Sequence, residues 1–72
     1  MRQINFSNNL KNLRTGSNKF GKKFSQKQVA DKTGISRSLI SEYENGIKEP
    51  TIGAVVKLAD FFEITLEELC FE

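Results

Sequence analysis

A single glycine, Gly34, stands between two short amphipathic segments in Ser25 to Asn45, SQKQVADKTGISRSLISEYEN, and it limits sharply how this part of the chain can fold. A residue that closes one helix and turns directly into the next often needs positive φ, which glycine adopts without a Cβ penalty. The apolar residues Val29, Ala30, Ile35, Leu39, Ile40 and Tyr43 fall at helical spacing on either side of it. Ser25 can cap the first segment and Ser36 the second, because a serine hydroxyl accepts from the orphan amides two or three residues on. The pattern predicts a helix from Gln26 to about Thr33, a tight turn, and a second helix closed by Asn45-Gly46, two residue types that tolerate the left-handed conformation.

At these residues the chain resembles the lambda-repressor-like helix-turn-helix proteins (Cro and phage repressors, the XRE family). The match lies in Gln26, small Ala30, Gly34, Ile35, Ile40 and the closing Tyr43-Glu44-Asn45-Gly46. A small residue beside a turn glycine lets two helices cross closely. The resemblance implies an all-α, compact five-helix domain around a central helix-turn-helix, with residues 1–72 as one domain, the motif at about 25–45, and C-terminal helices at about 51–71.

Seventy-two residues suit one small core. No apolar run approaches the roughly 18 residues that span a bilayer, and the amino terminus has no hydrophobic signal segment, so a cytoplasmic protein without membrane association is expected. No separate effector or protease domain is expected in this length. Cys70 is alone and histidine is absent, which removes intrachain disulfides, cysteine-rich zinc sites and the commonest general base. There is no glycine-rich phosphate loop either. No catalytic residue, metal, cofactor or small-molecule ligand is expected, and the chain reads as a non-enzyme.

The net charge of +2 conceals a division. Residues 1–48 carry ten Lys and Arg against three acids, a balance of +7, whereas residues 49–72 carry Lys57 against six acids, a balance of −5. Such a dipolar molecule presents its basic part to nucleic acid and keeps its acidic part away from phosphates.

Before the motif, Asn5 to Thr15 places Phe6, Leu10 and Leu13 at i, i+4 and i+7, a stripe suited to packing on the motif, with Asn5 or Ser7 as cap. The resemblance implies that Arg14 pairs with Glu44 and holds the scaffold without touching DNA. Residues 15–24, TGSNKFGKKF, form a loop longer than the family's usual connection. Its lysines, Lys22 and Lys23 among them, either reach phosphates as a basic arm or are simply solvated, with Phe20 or Phe24 tucked onto the core. Phe24, just before the cap, is expected to act as a hydrophobic staple.

The first turn of the first motif helix exposes amides beside Gln26 and Lys27, a combination suited to a phosphate oxygen. On the second helix, about 100° per residue puts Arg37, Ser38, Ser41, Glu42 and Asn45 on one face and Leu39, Ile40 and Tyr43 on the other. Short serines allow close approach to a major groove and the longer side chains reach base edges. Arg37 can donate two parallel bonds to guanine, Ser38 and Ser41 can touch a base edge, and Glu42 can accept from cytosine. The resemblance implies that Asn45 and Lys48 are phosphate candidates, and Ile47 is expected to fold back onto the core.

After the motif, Thr51 is expected to cap a fourth helix whose Ile52, Val55, Val56, Ala59 and Phe62, widened by Leu58 and Phe61, should be nearly all core. Thr65 should cap a short fifth helix with Glu67 and Glu68 at its start and Leu66 and Leu69 facing inward. In the family these last helices often form a two-fold dimer interface, here with Phe61, Leu66, Leu69 and Phe71 as candidates. The expected function is that of a repressor-like, sequence-specific regulator of transcription that binds a palindromic double-stranded DNA operator as a homodimer. The alternative is a protein-interaction module of the same fold, antitoxin-like or bridging. A protein-docking helix would show an apolar anchor, however, where this one shows a polar face.

Overall fold

The computed structural model describes residues 4–71. Arg2 and Glu72, counted in the charge division, lie outside them. Five helices follow the capping signals: α1 (Phe6–Arg14), α2 (Gln26–Thr33), α3 (Arg37–Glu44), α4 (Ile52–Phe62) and α5 (Leu66–Cys70). Ser25, Ser36, Thr51 and Thr65 each accept a hydrogen bond from the amide three residues on. In α2 and α5 the side chains of Gln28 and Glu68 reach back to the capping residue's own amide, completing reciprocal capping boxes. Asn5 precedes α1 without a side-chain bond to its amides; its Oδ1 accepts instead from Asn8 Nδ2 at 3.1 Å.

Helix ends explain how the chain turns. Gly34, at φ 75°, donates to Ala30 O and closes α2 directly into α3. Gly46, at φ 71°, donates to Tyr43 O while Ile47 donates to Glu42 O, the paired bonds of a Schellman turn. α4 ends with the same pair of bonds, but its left-handed position is held by Glu63, at φ 57°. A non-glycine residue there costs roughly 1–2 kcal/mol, and the exposed Lys19–Glu63 ion pair (2.7 Å) offsets little of it. Glu63→Gly is therefore expected to raise the urea-unfolding free energy by about 0.5–1 kcal/mol, the gain being reduced by glycine's larger unfolded-state entropy. A lower value than wild type would show that the ion pair outweighs the strain.

The core is drawn from all five helices: Phe6 and Leu10, Val29 and Ala30, Ile40 and Tyr43, Ala54, Val55, Leu58, Ala59 and Phe62, and Leu69, with Ile35 from the turn. Phe6 meets Tyr43 edge-on at 5.6 Å, fixing α1 against α3. Phe24 lies edge-on to Phe61 at 5.2 Å and to Phe62 at 6.2 Å, so it ties the lysine loop to α4. The two ends of the described chain meet in one antiparallel bridge, Ile4 with Phe71. Asn9 Nδ2 donates to the carbonyls of Leu69 and Phe71 and fastens α5 onto α1.

Three expectations fail on the face a residue presents. Ile52 is 78% exposed and Val56 is also exposed, because the buried face of α4 is centred on Leu58 and Phe62 and includes Ala54. That face is rotated by roughly 60° from the one the large aliphatics suggest. Leu66 is exposed, whereas Leu69 is completely buried, so Leu69 belongs to the monomer's core and is not a dimer contact. Ile47 is 68% exposed: the turn at Gly46 directs its amide inward to Glu42 and its side chain outward.

Candidate nucleic-acid interface

One edge of α3 is free and the other is anchored. Ile40 and Tyr43 are buried and Leu39 is half-buried against the core, while Arg37 and Ser38 are exposed and Ser41 and Glu42 half-exposed. The polar edge is thus presented by a helix that cannot roll without emptying the core. Gln26, Arg37, Ser38 and Ser41 line one open hollow between the start of α2 and α3. Arg37 also borders a second hollow, with Lys27, Ala30, Asp31, Gly34, Ile35 and Ser36. Gln26 and Lys27 from the first turn of α2, and Ser38 and Ser41 from α3, therefore share these hollows with Arg37.

Other sequence candidates stand further off or in different settings. Asn45 is exposed and its Nδ2 donates to Ser41 Oγ at 3.4 Å, which places it at the C-terminal end of the same edge. Lys48 is exposed and borders a separate hollow, between the start of α1 and the α3–α4 loop, with Gly46, Glu49 and Pro50. Lys22 and Lys23 are exposed on the loop, and neither lines the hollows around Arg37. The loop is well fastened. Asn18 Nδ2 donates to the carbonyls of Leu13 and Lys22, Asn18 Oδ1 accepts from the Phe20 amide, and Lys19 is drawn to Glu63.

Behind the edge lies a buried ion pair. Arg14 Nε and Nη2 donate to Glu44 Oε2 and Oε1 at 2.5 and 2.8 Å, with the Glu44 side chain only 4% exposed. The bond to Glu44 raises the proton affinity of the guanidinium above its ordinary value, against the opposing effect of burial. Arg14 Nη1 donates also to Phe24 O, and Gln26 Nε2 donates to Glu44 Oε1 at 3.3 Å. Sequence reasoning separated Gln26 from this pair; the structure joins them. Asp31, which the sequence does not single out, lines the same hollow as Lys27 and Arg37. The i, i+4 spacing from Lys27 was the available signal for Asp31.

The arrangement can accept a strip of phosphates flanking exposed base edges, and among the described residues no helix is long and apolar enough to cross a membrane. Comparison with known proteins points the same way. The family model HTH_3, helix-turn-helix, matches residues 19–69. The phage CTXphi transcriptional repressor RstR of Vibrio cholerae is 47% identical over 45 residues, which are 62% of this chain and 40% of RstR. The transcriptional activator BcrR of Enterococcus faecalis is 33% identical over 66 residues, 92% of this chain and 30% of BcrR. This chain thus spans less than half the length of either relative. The crystal structure of the restriction-modification controller protein C.AhdI from Aeromonas hydrophila superposes with a TM-score of 0.77 at 30% identity, covering 89% of each chain. The five-helix architecture, the helix-turn-helix at its centre and these matches establish that the chain belongs to the lambda-repressor-like, or XRE, family of helix-turn-helix proteins.

Proposed function

We propose that the protein is a sequence-specific regulator of transcription that binds double-stranded DNA by laying α3 in the major groove. The observation that carries this reading is the polar edge of Arg37, Ser38 and Ser41, held out by a helix whose other side is locked in the core and flanked by Gln26 and Lys27. Arg37 reads a guanine, Ser38, Ser41 and Glu42 meet neighbouring base edges, and Gln26, Lys27, Asn45 and Lys48 hold phosphates on either side. Lys22 and Lys23 extend the basic surface along the loop. The likeness to RstR favours action as a repressor.

An eight-residue helix covers only a few base pairs, so the protein acts as a homodimer on a palindromic operator, with two half-sites about one helical turn apart. The partner copy meets α4 and α5, where Leu66 is exposed and Phe61 and Phe71 are half-buried. Arg37→Ala is expected to cost about 1–3 kcal/mol in affinity and to relax preference at one base pair of each half-site. Lys48→Ala should weaken all sequences alike and reduce the slope of log affinity against log salt by about 0.9. Titrations of labelled duplexes at several salt concentrations measure both. Unchanged sequence preference in Arg37→Ala would remove Arg37 from base reading.

A further inference from the structure

We infer that Arg14 and Glu44 act together as positioning residues for DNA contact, by fixing the carboxamide of Gln26 at the edge of the α2–α3 hollow. The inference rests on the DNA-binding reading above and deepens it. Glu44 Oε1 receives Arg14 Nη2 at 2.8 Å and Gln26 Nε2 at 3.3 Å, so one oxygen joins the two side chains. The carboxylate is itself immobile, being 4% exposed and held through its second oxygen by Arg14 Nε. Arg14 further donates to the carbonyl of Phe24, next to the cap of α2, and accepts the Phe24 amide on its own carbonyl, so it also fixes where α2 begins.

This geometry decides what Gln26 offers. One amide hydrogen is committed inward to Glu44, leaving the other hydrogen of Nε2 and the carbonyl Oε1 for the hollow it shares with Arg37, Ser38 and Ser41. A free glutamine would lose rotamer entropy on binding, and this one is ordered beforehand. Arg14 has a second effect. It neutralises a carboxylate that would otherwise lie next to the phosphate that Gln26 holds.

A thermodynamic cycle separates positioning from mere scaffolding. The variants are Gln26→Ala, Arg14→Met with Glu44→Leu, and all three substitutions together. They are titrated with a short random-sequence duplex, since a phosphate contact is independent of sequence, after circular dichroism has confirmed the fold. Gln26→Ala and the Arg14/Glu44 double variant are each expected to bind about tenfold more weakly, and the triple variant no more weakly than either. A double variant that binds like wild type, or a triple variant that loses a further tenfold, overturns the inference. Should the double variant fail to fold, the order of the Gln26 carboxamide is read in wild-type protein by NMR, where side-chain amide protons that exchange as freely as those of an exposed glutamine overturn the inference. If wild-type protein binds no duplex at all, the DNA-binding reading itself fails. The coupling is then read from the Gln26 side-chain amide protons by NMR, expected to be shifted and slow to exchange in wild type and to collapse to solvent-exposed values in the variant; unchanged signals overturn it.

Discussion

Arg14→Met is expected to destabilise the domain by about 3–5 kcal/mol, because it leaves the Glu44 carboxylate buried without its cation. The Glu44 side chain is 4% exposed and both its oxygens face Arg14; the neutral Gln26 amide that remains cannot offset the charge. A 72-residue domain has roughly 4–11 kcal/mol in total, so this one change would leave a marginal or unfolded protein at 37 °C. The effect is one of breaking the pair, not of the pair's intrinsic worth, since a well-packed apolar replacement of both partners is often neutral. The pH dependence follows from the Arg14 shift. A folded-state proton affinity raised above the unfolded value gives stability that is fully present below the ordinary arginine range and lost only as pH rises through the raised value. On the arginine side, the contribution is thus constant across neutral pH. Urea denaturation measures the loss; a change under 1 kcal/mol, typical of an exposed pair, would contradict it.

Phe62→Ala is expected to cost about 3–5 kcal/mol as well, through the cavity it opens between α4 and the lysine loop. Phe62 is fully buried, edge-on to Phe61 at 4.8 Å and to Phe24 at 6.2 Å. The paired controls are Ile52→Ala and Val56→Ala on the exposed side of the same helix, which should each change stability by under about 0.5 kcal/mol in the monomer. Comparable costs at all three positions, measured by thermal unfolding, would mean that α4 presents a different face to the core.

Those controls also mark where the sequence stopped being informative. The helix-turn-helix was legible because Ser25, Gly34, Ser36 and Gly46 are local signals, each acting within four residues of itself. The face of α4 was not. Ile52, Val55, Val56, Ala59 and Phe62 satisfy a helical period as well as Ala54, Val55, Leu58, Ala59 and Phe62 do, and only the neighbours of α4 choose between them. Small Ala54 turned inward permits close packing that a hydrophobicity pattern undervalues. Leu69 and Leu66 repeat the ambiguity in a five-residue helix, too short for periodicity to fix its rotation.

At the candidate interface, the edge of Arg37, Ser38 and Ser41 followed from the helical wheel, because the apolar side of α3 is unambiguous. Lys48 was placed by likeness to the family, and in the structure it stands apart from the Arg37 hollows. The link from Gln26 to Glu44 was invisible in the sequence. The two residues are eighteen positions apart, and their contact depends on how α2 and α3 cross. Asp31 was overlooked for a different reason: a lone acid among lysines reads as surface, and although its spacing from Lys27 is local, the hollow it shares with Arg37 emerges only from the fold.

Selection of binding sites from a random duplex pool tests the central claim most directly, with wild type and Arg37→Ala carried through in parallel. The expected result is a recurrent motif with two-fold symmetric half-sites about one helical turn apart, degraded at one base pair per half-site in Arg37→Ala. Uniformly weak binding to every sequence, unchanged by Arg37→Ala, would contradict sequence reading by α3 and favour a protein-docking role for the same surface.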